Sequence, residues 1–89
     1  MEKKQLLVLR GKAHKLKPVV IIGANGLTEA VHQEIDIALE SHELIKIRVN
    51  AEDKASRNAM TREICERHNA QEINQIGHIL TLYRHAEKP

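Results

Sequence analysis

Two glycines that bracket two small residues form a stretch suited to holding an anionic ligand. Gly23-Ala24-Asn25-Gly26 follows the apolar run Pro18 to Ile22 and precedes a helical pattern that begins near Leu27. Glycine tolerates a left-handed backbone and has no Cβ, so the main chain can turn tightly and lie close to a ligand. The first N–H groups of the following helix favour an anion such as phosphate. The pattern predicts a loop that binds a nucleic-acid backbone, and the alternative is an ordinary strand-to-helix turn.

Basic side chains are concentrated before the apolar run. The first 17 residues carry six Lys or Arg side chains and one acid, a net charge of +5, while the whole chain has +2. From Pro18 to Ile45 there are five acids and no Lys or Arg. A clustered basic patch on a nearly neutral protein favours a polyanionic partner, and a solvated helix face is the alternative. The candidate contacts in this cluster are Arg10, Lys12, His14, Lys15 and Lys17.

The histidines and the single cysteine form no recognisable catalytic or metal-binding motif. No CxxC or HExxH cluster is present, which favours exposed or helix-end histidines for His14, His32, His42, His68, His78 and His85. Cys65 with a histidine base would suit a small hydrolase, but it lacks a local signature, and a buried apolar role is the alternative. The glycines are followed by Leu27-Thr28, so they form no Walker A loop. We expect a protein without catalytic residues, metal, cofactor or small-molecule substrate.

Length and composition are those of one small globular domain. The chain has 89 residues, of which 42% are hydrophobic and 29% charged, and we assign 1–86 to the domain and 87–89 to a short polar tail. No apolar run is long enough to span a membrane and no signal peptide is evident, so we expect a cytoplasmic protein. We also expect a monomer, although the sequence does not determine the oligomeric state. Tyr83 is the one aromatic residue, which excludes base recognition on several stacked aromatic rings.

Hydrophobic periodicity predicts the element order α-β-α-β-α-β-β. This order gives an α/β (α+β) fold, a single compact domain with a four-stranded mixed sheet packed with helices. The unbroken apolar first strand predicts a central position covered on both faces, and after Arg84 we expect a loose chain. The third helix has Asp53 as its expected N-cap and Met60 and Ile64 as its expected core residues. The predicted helices are 3–14, 27–41 and 52–68, and the strands are 18–22, 44–49, 71–76 and 79–84, the last two joined tightly at Gly77-His78. The strand 44–49 alternates, with Ile45, Ile47 and Val49 on one face and Lys46 and Arg48 on the other, so its outward face is predicted to be basic.

Four segments in this order resemble the CRM domain, named for chloroplast RNA splicing and ribosome maturation, and above all its stand-alone bacterial form, the YhbY family. The segments are residues 10–18, 20–28, 42–48 and 77–84. The resemblance implies an RNA-binding domain with a fold like the C-terminal domain of bacterial translation initiation factor three. It also implies association with precursors of the large ribosomal subunit.

The resemblance assigns site residues by position. Gly23, Ala24, Asn25 and Gly26 match the GxxG loop of the family, and the basic first helix and following turn are matched by Arg10, Lys12, His14 and Lys17. Lys46 and Arg84 fall within matching segments and are included as RNA contacts.

We therefore expect a non-catalytic protein that binds ribosomal RNA through the GxxG loop and the basic N-terminal helix, in assembly of the large ribosomal subunit. The alternative is a protein-interaction module that docks an acidic partner through that helix. The sequence leaves open whether the loop and the helix share one surface.

Overall fold

The computed structural model describes residues 1–86, which form three α-helices and one four-stranded mixed sheet. The predicted polar tail, 87–89, lies outside the described residues. The class is α+β, as predicted from the sequence, and within residues 1–86 no helix is long and apolar enough to cross a membrane. The helices are α1 (Lys3–Ala13), α2 (Glu29–His42) and α3 (Lys54–His68), and the strands are β1 (Pro18–Ile22), β2 (Leu44–Val49), β3 (Gln71–Ile76) and β4 (Ile79–Tyr83).

The strand order β1-β2-β4-β3 makes β1 an edge strand. β1 pairs with β2 in parallel through the α2 crossover, and β4 pairs antiparallel with both β2 and β3. The prediction of a central first strand covered on both faces is wrong, because Val19 and Ile21 are 54% and 60% exposed. Only Val20 and Ile22 of this apolar run point into the core.

The hydrophobic core lies between the sheet and helices α2 and α3. The alternation predicted for β2 is confirmed, since Ile45, Ile47 and Val49 are buried while Arg48 is exposed. Ile64 of α3 is fully buried and Met60 packs partly buried against the core, so both predicted core residues of α3 are in place. The other fully buried large side chains of this core are Ile22, Ile35, Leu39, Leu80 and Leu82.

Helix α1 packs on the opposite side of the sheet, which we call the outer face. Its last turn borders a groove with Lys46 and Thr81, which are register partners on β2 and β4. Ala13 is 3% exposed and Thr81 is 1% exposed, so α1 covers this part of the sheet. The Arg10 Nε–H also donates to the Ile73 carbonyl over 3.4 Å. One short helix thus covers the centre of the outer face and leaves β1 open.

Local hydrogen bonds set the helix starts and the end of the described chain. Asp53 accepts the Ser56 N–H over 2.9 Å, which confirms the predicted N-cap of α3. Thr28 caps α2 in the same way, so this helix begins at Glu29, two residues later than predicted. The Ala86 N–H donates to Glu43 over 2.8 Å and Ala86 is 5% exposed. The prediction of a loose chain after Arg84 is therefore wrong at Ala86.

Candidate nucleic-acid interface

The segment Gly23–Gly26, which we call the glycine loop, is a hydrogen-bonded turn at the C-terminal end of β1. The Gly26 N–H donates to the Gly23 carbonyl over 3.1 Å. Gly26 has a φ of +70°, a left-handed conformation that disfavours any Cβ, whereas Gly23 lies outside that region. In the described part of the chain, no atom lies within 4 Å of a Cβ built on Gly23. Gly26 is thus required by the turn, while Gly23 offers an open approach to the backbone.

The glycine loop leads directly into the N-terminus of α2. Gly23, Ala24 and Asn25 are exposed. The Thr28 hydroxyl accepts the Val31 N–H over 3.2 Å, which fixes the start of the helix. The positive end of the helix dipole therefore lies beside an accessible backbone, the arrangement that favours a bound phosphate.

An ion pair compensates the acid at the start of α2. Glu29 would repel a phosphate at the glycine loop, but Arg67 from the last turn of α3 forms a hydrogen-bonded ion pair with its carboxylate. The hydrogen bond to Arg67 lowers the pKa of Glu29, so this carboxylate stays ionised with its charge balanced. Sequence reasoning missed Arg67, because it lies 38 residues from Glu29 and no local motif links the two.

Basic residues of α1 and β2 come together on the outer face. Arg10 and His14 border the same groove as Lys46. Arg48, also outward and exposed, pairs in register with Ile21, two residues before Gly23. The cations of the outer face therefore reach the end of the sheet where the glycine loop begins. Alternation along β2 put Arg48 on the basic face, but sequence reasoning did not count it as a site residue.

The remaining lysines of the cluster lie at the other end of β1. Lys12, Lys15 and Lys17 surround a second depression together with Val19 and the His42 side chain. Because Lys17 precedes β1 and the glycine loop follows it, the length of this strand, about 16 Å, separates the two. The predicted cations thus form two groups, one on the outer face with Lys46 and one around the start of β1. Because Lys46 pairs in register with Pro18, neither group lies beside the glycine loop, and Arg48 is the outer-face cation that approaches it.

Arg84 belongs to neither group. Its guanidinium donates to Asp36 Oδ1 over 2.9 Å, to the His68 carbonyl over 3.2 Å and to Glu40 over 3.4 Å. The Arg84 side chain is 18% exposed. These contacts join the end of β4 to α2 and α3, so the structure gives Arg84 a stabilising role.

A buried histidine pair lies between α2 and α3. His32 Nδ1 is 3.0 Å from His68 Nε2, and His32 Nε2 is 3.1 Å from the carboxylate of Glu63. The expectation of exposed or helix-end histidines is wrong for His32, which is 2% exposed in the second turn of α2. Burial, together with the neighbouring His32, lowers the pKa of His68.

Metal-binding clusters and the reactivity of Cys65 can be assessed for the described residues. Across residues 1–86, no group of three or more His, Cys, Asp or Glu side chains is placed to hold a metal ion. Cys65 is half-buried, and this burial raises the pKa of its thiol, which disfavours the nucleophilic thiolate.

The α+β domain with a GxxG loop at the end of its sheet belongs to a known family. The sequence model of the CRS1 / YhbY (CRM) domain matches residues 1–84, so the chain is a member of this family. Its relatives include a Haemophilus influenzae protein named RNA-binding protein, which is 46% identical over 85 residues that cover 96% of this chain and 86% of that protein.

Two further proteins extend the comparison. A Bacillus subtilis protein named probable RNA-binding protein YqeI is 31% identical over 85 residues, which cover 96% of this chain and 88% of that protein. The solution structure of SAV1595 from Staphylococcus aureus superposes with a TM-score of 0.86 at 28% identity, covering 99% of this chain and 92% of that one. The family expected from the four resembling segments, and the α+β fold with a four-stranded mixed sheet, are thus confirmed.

Proposed function

We propose that this protein is a non-catalytic RNA-binding protein that holds the RNA backbone at the glycine loop and along the basic outer face. The observation that carries the proposal is the open approach to the backbone at Gly23, beside the start of α2. Arg48 lies close by on the neighbouring strand, where it pairs with Ile21, two residues before Gly23. The names of the family relatives support RNA as the polyanion. In this account one phosphate accepts hydrogen bonds from the loop backbone, while Arg48, Lys46 and Arg10 neutralise the next phosphates along the RNA.

The binding energy in this proposal is largely electrostatic. Three or four phosphates neutralised by the loop and the adjacent cations would give a slope of log affinity against log salt of about −2 to −3 for a single strand. Lys12, Lys15 and Lys17 lie farther along β1 and would add contacts only to a longer RNA. The protein recognises the phosphates and the shape of the RNA, not the edges of its bases, so we expect modest sequence preference.

We further propose ribosomal RNA as the target and assembly of the large ribosomal subunit as the process. The support is membership in a family whose name refers to ribosome maturation, together with the motif match in the glycine loop. A tagged protein should co-sediment with precursors of the large subunit in sucrose gradients, and excess free ribosomal RNA should displace it.

The same gradient distinguishes RNA binding from the docking of an acidic protein through α1. If the protein stays on the particles in excess free RNA, or after nuclease treatment, a protein partner holds it and the ribosomal RNA proposal fails. A variant with Lys46→Gln and Arg48→Gln provides the matched test, because both side chains lie on the outer face of β2 and outside α1. This variant should leave the particles, whereas docking through α1 predicts that it remains.

A further inference from the structure

A row of aliphatic side chains crosses the outer face beside the glycine loop. Ile21, Arg48, Ile79 and Ile76 are successive register partners on β1, β2, β4 and β3. Ile21 is 60% exposed and Ile76 is 71% exposed. We call the three isoleucines Ile21, Ile79 and Ile76 the aliphatic row. Three branched apolar side chains around one arginine, at the end of a sheet that α1 leaves open, form a surface with both apolar and cationic character.

The charge of the surrounding face points to an anionic occupant. Among the outward-facing strand residues that the structure describes, Lys46 and Arg48 are charged and none is acidic. The groove beside the row is lined by Arg10 and His14 from α1. An occupant that matches this face carries negative charge at close intervals and also has flat apolar surface to cover the isoleucines.

Unpaired RNA has both properties, whereas duplex RNA has only the first. In a duplex the faces of the bases are stacked on one another and only their edges and the backbone reach a protein. In a single strand or a loop the bases splay out and their faces can pack on side chains. The four strands place the row across about 14 Å, at the spacing of neighbouring strands in a sheet.

We propose that the aliphatic row receives the faces of unpaired bases while the glycine loop and Arg48 hold the flanking phosphates. The inference rests on the proposed function and adds the class of RNA, a single-stranded segment or loop. Aliphatic side chains pack against any base without reading its edge, so the row accepts all four bases. This replaces the aromatic platform, for which the sequence has no residues beyond Tyr83.

The test compares one double variant and one single variant, both of which keep the branched Cβ. Ile21→Thr with Ile76→Thr removes apolar surface from the row, and Ile37→Thr is the matched control, because Ile37 is 66% exposed but lies on α2. Fluorescence anisotropy measures the affinity of each protein for a short oligoribonucleotide and for the duplex of the same sequence, at several salt concentrations. Circular dichroism verifies that each variant is folded.

The row variant should bind the single strand about tenfold more weakly than the wild type, with the same salt slope. Its duplex affinity, and both affinities of the Ile37→Thr control, should be unchanged. Suppose the wild type binds RNA with a steep salt slope, but the row variant keeps its full affinity or loses the same affinity for the single strand and the duplex. The inference then fails and the proposed function stands.

Two other outcomes also overturn the inference. If the wild type binds neither RNA form, the proposed function fails with it. If sedimentation equilibrium shows a wild-type dimer that the row variant converts to a monomer with full RNA affinity, a second copy of the chain covers the row.

Discussion

Replacing the two loop glycines one at a time separates their contributions to folding and to binding. Gly26 has a φ of +70°, and an L-residue in this left-handed conformation costs about 1–2 kcal/mol. A Cβ at Gly26 would lie 3.8 Å from Met60 Cε, an ordinary contact that adds no clash. We therefore expect Gly26→Ala to lower the free energy of unfolding by about 1–2 kcal/mol.

Gly23→Ala should weaken RNA binding without lowering the free energy of unfolding. Its φ lies outside the left-handed region and a Cβ there meets no atom within 4 Å in the described residues. Alanine also restricts the unfolded chain, so the free energy of unfolding should stay equal or rise by about 0.4–1 kcal/mol. The new methyl group, however, occupies the open approach to the backbone. Loss of one charge-assisted hydrogen bond from the loop to a phosphate would lower the RNA affinity about tenfold or more.

The assay measures both properties on the same preparations. Urea titration followed by circular dichroism gives the free energy of unfolding, and anisotropy with labelled RNA gives the affinity. A Gly23→Ala protein that is fully stable and binds RNA like the wild type would refute the reasoning, because the backbone at Gly23 would then make no close contact. A marked loss of stability in Gly23→Ala would contradict the loop geometry itself.

Three further predictions concern side chains outside the glycine loop. Burial and His32 lower the pKa of His68 below its ordinary 6.5 in the folded protein. Between that lowered pKa and pH 6.5, the unfolded chain therefore binds more protons than the folded one. The free energy of unfolding should fall as the pH drops through this range, by at most about 1.4 kcal/mol per pH unit. Urea titrations at several pH values measure this dependence, and a His68→Asn variant whose unfolding free energy changes equally with pH would contradict the prediction. Arg84→Gln should cost about 1–2 kcal/mol of stability by breaking the contacts to Asp36, yet leave the salt slope of RNA binding unchanged; a reduced slope would indicate an RNA contact. Cys65→Ala should keep wild-type RNA affinity and lose about 1 kcal/mol of stability, and loss of RNA binding in the folded variant would overturn this.

The order of the elements was predictable because its signals are local. The alternation in β2, the Asp53 cap and the tight turn at Gly77 each depend on neighbours in sequence. The edge position of β1 was not predictable, because it depends on how the four strands pair in the sheet, and the exposure of its outer face depends on where α1 packs. A run of apolar residues marks a strand, but does not show that Val19 and Ile21 lack a covering helix.

The candidate site likewise contains some residues that local signals predict and others that only folding brings together. The glycine loop and Lys46 follow from local motifs and strand alternation. Arg84 also fell within a resembling segment, but its contact with Asp36, 48 residues away, forms only when β4 meets α2. The aliphatic row is likewise created by sheet assembly, since register alone brings Ile21 beside Arg48 and Ile79.

The most direct test of the central claim measures the affinity for large-subunit ribosomal RNA over a range of salt concentrations. The test variant, Ala24→Asp with Asn25→Asp, adds two acids to the exposed part of the glycine loop. The control, Ala55→Asp with Asn58→Asp, makes the same two replacements at exposed positions of α3. Circular dichroism establishes that both remain folded.

Our account predicts that the wild type and the α3 control bind with the same steep salt dependence, while the folded loop variant loses most of its affinity. Equal binding by the loop variant and the control would contradict it, because the glycine loop would then be a turn without a role in holding RNA.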